Sequence, residues 1–436
     1  MERVLIRDLN KHVGETVTVC GWIAVRRDQG KMVFIDLRDR SGTVQGVVLP
    51  KSDAIQTAKE VTVQSAVEIG ATVTKRPEKN ILADKENGDI ELHIDTLMII
   101  GAAQTLPFEL SADLNLDTYL DYLPLTLRTE RARDIFKLQE TIIDEFRLSL
   151  REQDFAEFQS PTLVGADAEG GAAAFEVGYY YDKKAFLATS PQFYKQIMVG
   201  PFERVFATQK VFRGEKHSTA RHLSEYSSMD FEMGFIQDHT DVMRALEVFV
   251  SRLVRAVSTK HKDMFARFAV ELPMLPTTIP SLKLRDAQKI LGTLEEPDLE
   301  PEQERAICEW AKKEHDSDFI FITHYPVKKR PFYTYEDEND PGYTKSFDLL
   351  FRGLEITTGG QRIHTYDTLL ERIKDRGLKP DQFSFYLQAF KYGMPPHGGS
   401  ATGLERFTAR MLGLSNIKEA TLFPRDLNRI DMRLSE

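Results

Sequence analysis

The sequence predicts an α+β protein, with a small β-barrel at its N-terminus and a larger domain in which helices flank a sheet. Three observations carry this. Residues 1 to about 100 hold five short apolar or alternating runs with glycines near their boundaries. From Arg131 the apolar spacing changes to three and four, the period of an amphipathic helix. Arg204–Gln237 carries β-branched and aromatic residues on one side of a charged loop and a period of two on the other, the pattern of a long hairpin.

The five N-terminal runs are Thr16–Val19, Val33–Leu37, Val44–Leu49, Ala66–Thr74 and Ile90–Ile100. Five short strands in one small domain predict an OB-type barrel. Within it, Phe34 offers a stacking face, Gln45 an amide for a base edge and Arg27 a cation for phosphate or base. Spacing alone also allows Phe34 to be core and Gln45 to be solvated. Pro107 and Pro124 punctuate a stretch that reads as a hinge, 104–130.

Beyond it, Ile135, Leu138, Ile142, Phe146 and Leu150 share one helical face. Phe186–Gly200 reads as a strand end running into a helix, with Pro191 in its first turn. In the hairpin, Val205, Phe206, Val211 and Phe212 form one strand, and Met229, Phe231, Met233 and Phe235 alternate with Asp230, Glu232 and Gly234 on the other. The loop between holds Glu215, Lys216, His217, Arg221 and His222, and Arg213 closes the first strand. Arginine forks beside such a loop suit polyphosphate; a solvated edge hairpin is the bland alternative. A helix is predicted near His239–Thr259. The acidic run Leu294–Glu304 reads as solvated surface. Strands return at Phe319–Thr323 and Ser346–Ile356. Asp348 and Glu355 lie seven apart, on opposite faces of a continuous strand. A turn at Arg352–Gly353 would reset the parity and bring them together as hard oxygen donors for Mg²⁺.

Composition sets outer limits. The 436 residues allow two or three domains, and 42% hydrophobic residues are enough for buried cores. Two distant cysteines, Cys20 and Cys308, argue for a reducing compartment without a disulfide framework. The N-terminal residues lack a signal-peptide pattern, and no apolar run reaches membrane-spanning length, so a cytoplasmic protein away from membranes is expected. A net charge of −10 argues against a bulk nucleic-acid coat protein but leaves local RNA-binding patches open.

The run FRGEKHSTARHLSEYSSMDFEM, Phe212–Met233, resembles motif 2 of class II aminoacyl-tRNA synthetases in the aspartyl/asparaginyl subgroup. The helix from Arg131 with Pro161 resembles motif 1, the dimer interface of that class. Tyr392–Asp426, with GMPPHGG, GLER and LFPRD, resembles motif 3. CGWIAVRRDQGKMVFIDLRDRSGTVQGVV resembles the anticodon-binding barrel of the subgroup. The resemblance covers nearly the whole chain. Phe235 and Thr402 lie too close for the large inserted domain of bacterial-type aspartyl enzymes, so the chain is similar to the compact archaeal/eukaryotic type.

The resemblance implies an OB-fold anticodon-binding domain, 1–103, the hinge, and a class II catalytic domain, 131–436, built on an antiparallel sheet flanked by helices. It implies ATP-dependent activation of L-aspartate and transfer to tRNA-Asp, in a homodimer formed through motif 1. It implies catalysis by Arg213, Arg406 and Glu355. Glu169, Gln192, Lys195, Arg213, Asp230, Thr358 and Arg362 would bind aspartate, two cations facing one side-chain carboxylate and so rejecting asparagine. Arg213, Glu215, Arg221, His222, Leu223, Tyr226, Glu355, Gly403, Glu405 and Arg406 would bind ATP, with Gly398, Gly399 and Gly403 letting backbone approach the nucleotide. Asp348, Glu355 and Thr358 would hold Mg²⁺. Ala24, Arg27, Phe34, Gln45 and Pro77 would meet the anticodon.

The chain departs from the family in two places. Tyr226 stands where phenylalanine is more frequent, and the loop GADAEGGAAAFEV is alanine-rich. Strict archaeal-type enzymes tend to carry tryptophan where this chain has Ala24. Its absence leans towards charging of tRNA-Asn as well, which would require a tRNA-dependent amidotransferase partner. An asparaginyl enzyme, a non-catalytic RNA-binding paralogue and an amide-forming enzyme without tRNA are the competing readings. Lys195, the motif arginines and the barrel argue against them in turn.

Overall fold

The computed structural model describes residues 2–83, 87–165, 174–216, 219–293 and 296–434. It divides into two compact units, Met1–Asp113 and Leu114–Glu436.

The first unit is a closed five-stranded barrel of β1 (Thr16–Asp28), β2 (Val33–Arg38), β3 (Thr43–Val48), β4 (Ala66–Lys75) and β5 (Ile90–Gly101). The order is β1-β2-β3-β5-β4, with β3 and β5 parallel. Alternation builds the interior: Val17, Val19, Ile35, Leu37, Val67, Ile69 and Leu92 point inward and are buried. β1 runs well beyond the expected Val19. A bulge between Ile23 and Val25 breaks its register with β2. Ala24 is the extra residue, and the bulge resets which side chains face outward for the last turn of the strand.

In the second unit the short strands are β6 (Ala156–Glu157), β7 (Leu163–Val164), β8 (Glu176–Tyr179) and β9 (Lys183–Leu187). The remaining strands are β10 (Arg204–Phe212), β11 (Glu225–Gly234), β12 (Ser281–Lys283), β13 (Phe319–Thr323), β14 (Ser346–Phe351), β15 (Leu354–Arg362) and β16 (His397–Gly403). Eight of them form one sheet in the order β12-β13-β14-β15-β16-β11-β10-β6. The expected antiparallel sheet needs one correction. The inner pairings are antiparallel, but β12–β13 and β10–β6 at the two ends are parallel.

The motif-1-like segment is helix Glu130–Glu152, capped by Thr129, whose hydroxyl accepts the Ala132 N–H. Its stripe Ile135, Leu138, Ile142, Phe146 and Leu150 is buried. Phe146 meets Phe206 of β10 and Phe249 of helix His239–Lys260 edge-on, at 5.9 and 5.2 Å between centroids. This core fixes the back of the sheet and leaves the opposite face for chemistry.

Three local expectations change. Pro191 is the residue before helix Gln192–Phe202 rather than part of its first turn. The second half of 104–130 is helical, at Leu116–Asp121 and Leu123–Thr126. The acidic run is not all solvated surface, since Leu299 is buried and the Glu304 side chain is 15% exposed. Helix Pro301–His315 buries Ile307, Cys308 and Ala311 against Ile320 and Ile322 of β13. Among the described residues no helix is long and apolar enough to cross a membrane.

Candidate functional site

The face of the large sheet brings together residues that sequence scatters between 192 and 406. On β11 the period of two puts Asp230 and Glu232 side by side, both fully buried. Helix Gln192–Phe202 offers Gln192, Lys195 and Gln196 on one buried face. Lys195 Nζ donates to Asp230 Oδ1 at 2.9 Å and to the Ser400 carbonyl at 3.2 Å, and lies 3.6 Å from Glu232. Arg362, at the end of β15, donates from Nε to Glu232 Oε1 at 2.9 Å and from Nη2 to the Gly399 carbonyl at 2.9 Å. Ser228 donates to the other oxygen of Asp230.

Within the chain Lys195 and Arg362 face two carboxylates, Asp230 and Glu232. Glu232, the missing partner, was seen in the sequence only as an alternating residue. Burial pushes its carboxyl up, but Arg362, Lys195 and His397 outweigh that and hold it below the usual range. Around this network Gln192 Nε2, Gln196 Nε2, Glu232 Oε2 and Ser400 Oγ are buried without hydrogen-bond partners. Native interiors rarely leave so many such groups together, and a polar ligand would satisfy them.

A second cluster adjoins the β10–β11 loop. Arg213 stands 3.7 Å from Glu215 and 5.8 Å from the centre of the Tyr226 ring. His222 Nε2 is 4.0 Å from Glu215. Arg221 Nη1 meets Glu304 at 3.2 Å, and Arg406 Nη1 meets Glu355 at 3.6 Å. The tight turn at Arg352–Gly353, where both residues have positive φ, forms as expected. Asp348 pairs across the β14–β15 hairpin with Thr358, whose hydroxyl donates to Glu355 at 2.8 Å.

Burial, reinforced by Glu355, raises Asp348 to about 6 against the pull of Arg330. Desolvation raises Glu355 too, but Arg406, Thr358, Arg330 and Arg213 together hold it low. Arg330, which sequence reasoning missed, donates to Asp348 Oδ2 at 2.8 Å and lies 3.9 Å over Tyr325. The buried Asp348 Oδ1 has no hydrogen-bond partner. An orphan carboxylate oxygen beside a low-pKa carboxylate is a fitting donor set for a hard cation that also binds phosphates. Among the described residues no three His, Cys, Asp or Glu side chains form a metal-binding group.

Several expected residues are placed differently. Leu223 is buried in the main core. Glu405 is buried and accepts the Ser227 N–H on both oxygens, at 2.9 and 3.0 Å. Burial raises its carboxyl. A Cβ at Gly403 would meet only Arg406, at 3.8 Å, whereas one at Gly398 or Gly399 would collide with neighbouring strands. Glu169 and His217 lie outside the described residues.

On the barrel, Phe34 is half-buried opposite Arg27, and Gln45 is half-buried opposite Asp36. Arg27 is paired to Asp36 by two hydrogen bonds, at 2.8 and 3.2 Å. Its cation is thus already matched. Trp22, half-exposed under Arg38 at 5.2 Å, shares this outward side and was not singled out in the sequence. Pro77 is exposed, just before the short helical turn Glu78–Asn80.

Two buried histidines each favour the fold less as pH falls. His397 donates from Nδ1 to the Pro395 carbonyl at 2.9 Å, and its Nε2 lies 3.1 Å from the Gln196 amide. Burial lowers both His397 and His239 to about 4 from 6.5. Below pH 6.5 the unfolded chain takes up protons that the folded one refuses. Stability present above pH 6.5 is therefore lost as pH falls towards 4, by about 3 kcal/mol per histidine. Glu304 and Asp348, raised to about 7 and about 6, act in the opposite sense over the same range, so the histidine effect is read as a difference: the unfolding free energy of wild type relative to His239→Asn, followed by denaturant melts, should fall as pH goes from 6.5 to 4. A wild-type-minus-variant difference that stays constant from pH 6.5 to 4 would contradict the assignment.

Comparison with known proteins agrees with this geometry. Residues 115–427 match the family described as class II tRNA synthetases (D, K and N), and residues 17–100 match the OB-fold nucleic acid binding domain. The chain is 44% identical to the aspartate–tRNA(Asp/Asn) ligase of Thermus thermophilus, over 98% of this chain and 99% of that one. It is 42% identical to the protein of the same name from Aeropyrum pernix, over 96% of each chain. Its structure is similar to asparaginyl-tRNA synthetase from Pyrococcus horikoshii complexed with asparaginyl-adenylate, with TM-score 0.90, 32% identity and 99% of each chain covered.

Proposed function

We propose, for a chain that belongs to the class II tRNA synthetases of the D, K and N group, that it is an ATP-dependent aspartate–tRNA ligase charging both tRNA-Asp and tRNA-Asn. The carrying observation is the buried Lys195–Arg362 pair beside unsatisfied amides and hydroxyls. Once the substrate ammonium takes Asp230, Lys195 is left to face a side-chain carboxylate; the neutral amide of asparagine would leave that buried cation less well matched.

The chemistry follows from positioning. The α-carboxylate of aspartate attacks the α-phosphate of ATP, an oxygen–phosphorus bond forms, and pyrophosphate departs. The terminal ribose of tRNA then attacks the carbonyl carbon and releases AMP. Neither step needs a covalent bond to the protein, which orients the reactants and neutralises charge. Arg213, at the end of β10, is the residue for the α-phosphate and the α-carboxylate. Asp230, with Glu169, would receive the substrate ammonium, an exchange that frees Lys195 for the side-chain carboxylate. Gln192 and Thr358 line that pocket. Glu215 and Tyr226 would address the adenine. Arg221, His222 and Arg406 would take the outer phosphates. Mg²⁺, held by Asp348, Glu355 and Thr358 together with the phosphates, would supply charge neutralisation on the leaving pyrophosphate. Glu405 supports this arrangement through the backbone of β11.

We also propose that 1–103 reads the anticodon through Phe34, Gln45, Arg27 and Pro77. Ala24 at the β1 bulge leaves the third base without a tryptophan. Helix Glu130–Glu152 and the segment through Pro161 would join two copies of the chain, in the cytoplasm. Dual charging calls for a tRNA-dependent amidotransferase in the same cell.

The test is aspartate charging of tRNA-Asp and tRNA-Asn transcripts side by side, with asparagine as the control amino acid. Comparable charging of both by aspartate alone is expected. Charging of tRNA-Asp only would remove the dual assignment. Preference for asparagine would remove the aspartate assignment.

A further inference from the structure

We infer that Glu304 is a positioning residue for Arg221, holding this loop arginine where it can receive the outer phosphates of ATP. The inference rests on the assignment of the β10–β11 loop to ATP.

Arg221 belongs to a loop without regular structure, and its backbone N–H donates to the Thr219 hydroxyl at 3.1 Å. A long arginine side chain in such a loop has many rotamers, and ordering them before ATP arrives aids binding. Glu304 supplies the order. Its carboxylate accepts from Arg221 Nη1 at 3.2 Å, and the two side chains are only 15% and 25% exposed. An ion pair so enclosed holds geometry better than one at the surface.

The seat itself is rigid. Glu304 lies in the first turn of helix Pro301–His315, whose start is fixed by the reciprocal Glu300–Gln303 capping box. Ile307, Cys308 and Ala311 then anchor the helix to β13. The carboxylate is placed where an acid is electrostatically disfavoured. Burial, reinforced by repulsion from Glu355, raises it to about 7 against the pull of Arg221 and Arg406. A packing residue would be better apolar at this position. The Arg221–Glu304 and Arg406–Glu355 pairs together outline a site in which phosphates can take over both guanidinium groups.

The experiment is aspartate-dependent ATP–pyrophosphate exchange on the full chain. It compares wild type with Glu304→Ala, Glu304→Gln, Arg221→Ala and the Glu304→Ala/Arg221→Ala double variant. Glu304→Ala is expected to raise the KM for ATP about tenfold, leaving kcat and the KM for aspartate within about twofold. Glu304→Gln, which keeps the shape and one acceptor, should fall between Glu304→Ala and wild type. It also replaces Glu304→Ala in the comparison should that variant fold poorly. The double variant should be no worse than Arg221→Ala alone, because both changes remove one interaction. An unchanged or lower KM for ATP in Glu304→Ala, multiplicative losses in the double variant, or an equal rise in the KM for aspartate would overturn the inference. Absence of aspartate-dependent exchange in the wild type would instead overturn the assignment it rests on.

Discussion

Lys195→Ala should lose aspartate activation by roughly a thousandfold, because it removes one charge of a buried network without removing its partners. Lys195 is 1% exposed and touches Asp230, Glu232 and the Ser400 carbonyl at once. Without its ammonium two fully buried carboxylates share a single cation, Arg362. Breaking such a pair costs about 3–5 kcal/mol, the size of the expected activity loss. The incoming substrate carboxylate would then meet net negative charge. ATP should still bind, since Arg221 and Arg406 pair with Glu304 and Glu355, carboxylates separate from the Asp230 and Glu232 that Lys195 meets. Pyrophosphate exchange measures the first effect, and nucleotide-induced thermal stabilisation measures the second. Near-normal exchange with aspartate would sink the pocket assignment. Loss of the nucleotide effect would mean that the variant has lost its fold.

What could be learned from the sequence divides by range. The strands of the barrel and the face of helix Glu130–Glu152 were legible because side-chain period is a local property. So was the β14–β15 hairpin: a turn was required for Asp348 and Glu355 to meet, and Arg352 and Gly353 both adopt the positive φ that makes it. Burial of charge was not legible. Glu302 and Glu304 look alike in the acidic run, yet the side chain of Glu302 is 91% exposed and that of Glu304 is 15% exposed. Only the docking of the helix against β13 distinguishes them. Likewise Arg330 follows two lysines, and nothing nearby in sequence announces that it turns inward over Tyr325 to hold Asp348. Glu232 was the nearest miss. The same alternation that gave Asp230 its face gives Glu232 the same face, two residues on. Its partner Arg362, however, is 130 positions away.

Gly399→Ala should be at least as damaging as Lys195→Ala, although it adds only one methyl group. β16 pairs antiparallel with β11, with Gly399 opposite Glu232. A Cβ at this position would sit 2.1 Å from Glu232 Oε2 and 2.1 Å from the Phe231 carbonyl oxygen. The first contact could be relieved only by driving Glu232 off Arg362. The second is with backbone of a central strand, which cannot swing aside as a side chain can. Overpacking of this kind costs about 1–3 kcal/mol in ordinary cores, and more where backbone must move. The Gly399 carbonyl also accepts from Arg362, so any shift of β16 loosens both ends of the Lys195–Arg362 network. The expected outcome is a melting temperature lower by several degrees, about 2–4 °C per kcal/mol for a domain of this size, with aspartate activation lost. Gly178→Ala is the control, since a Cβ there meets nothing within 4 Å. If Gly399→Ala matched that control in both melting and pyrophosphate exchange, the close approach of Gly399 on β16 to β11 could not be what fixes Glu232. The geometry that presents Lys195 and Arg362 to substrate would then need another source.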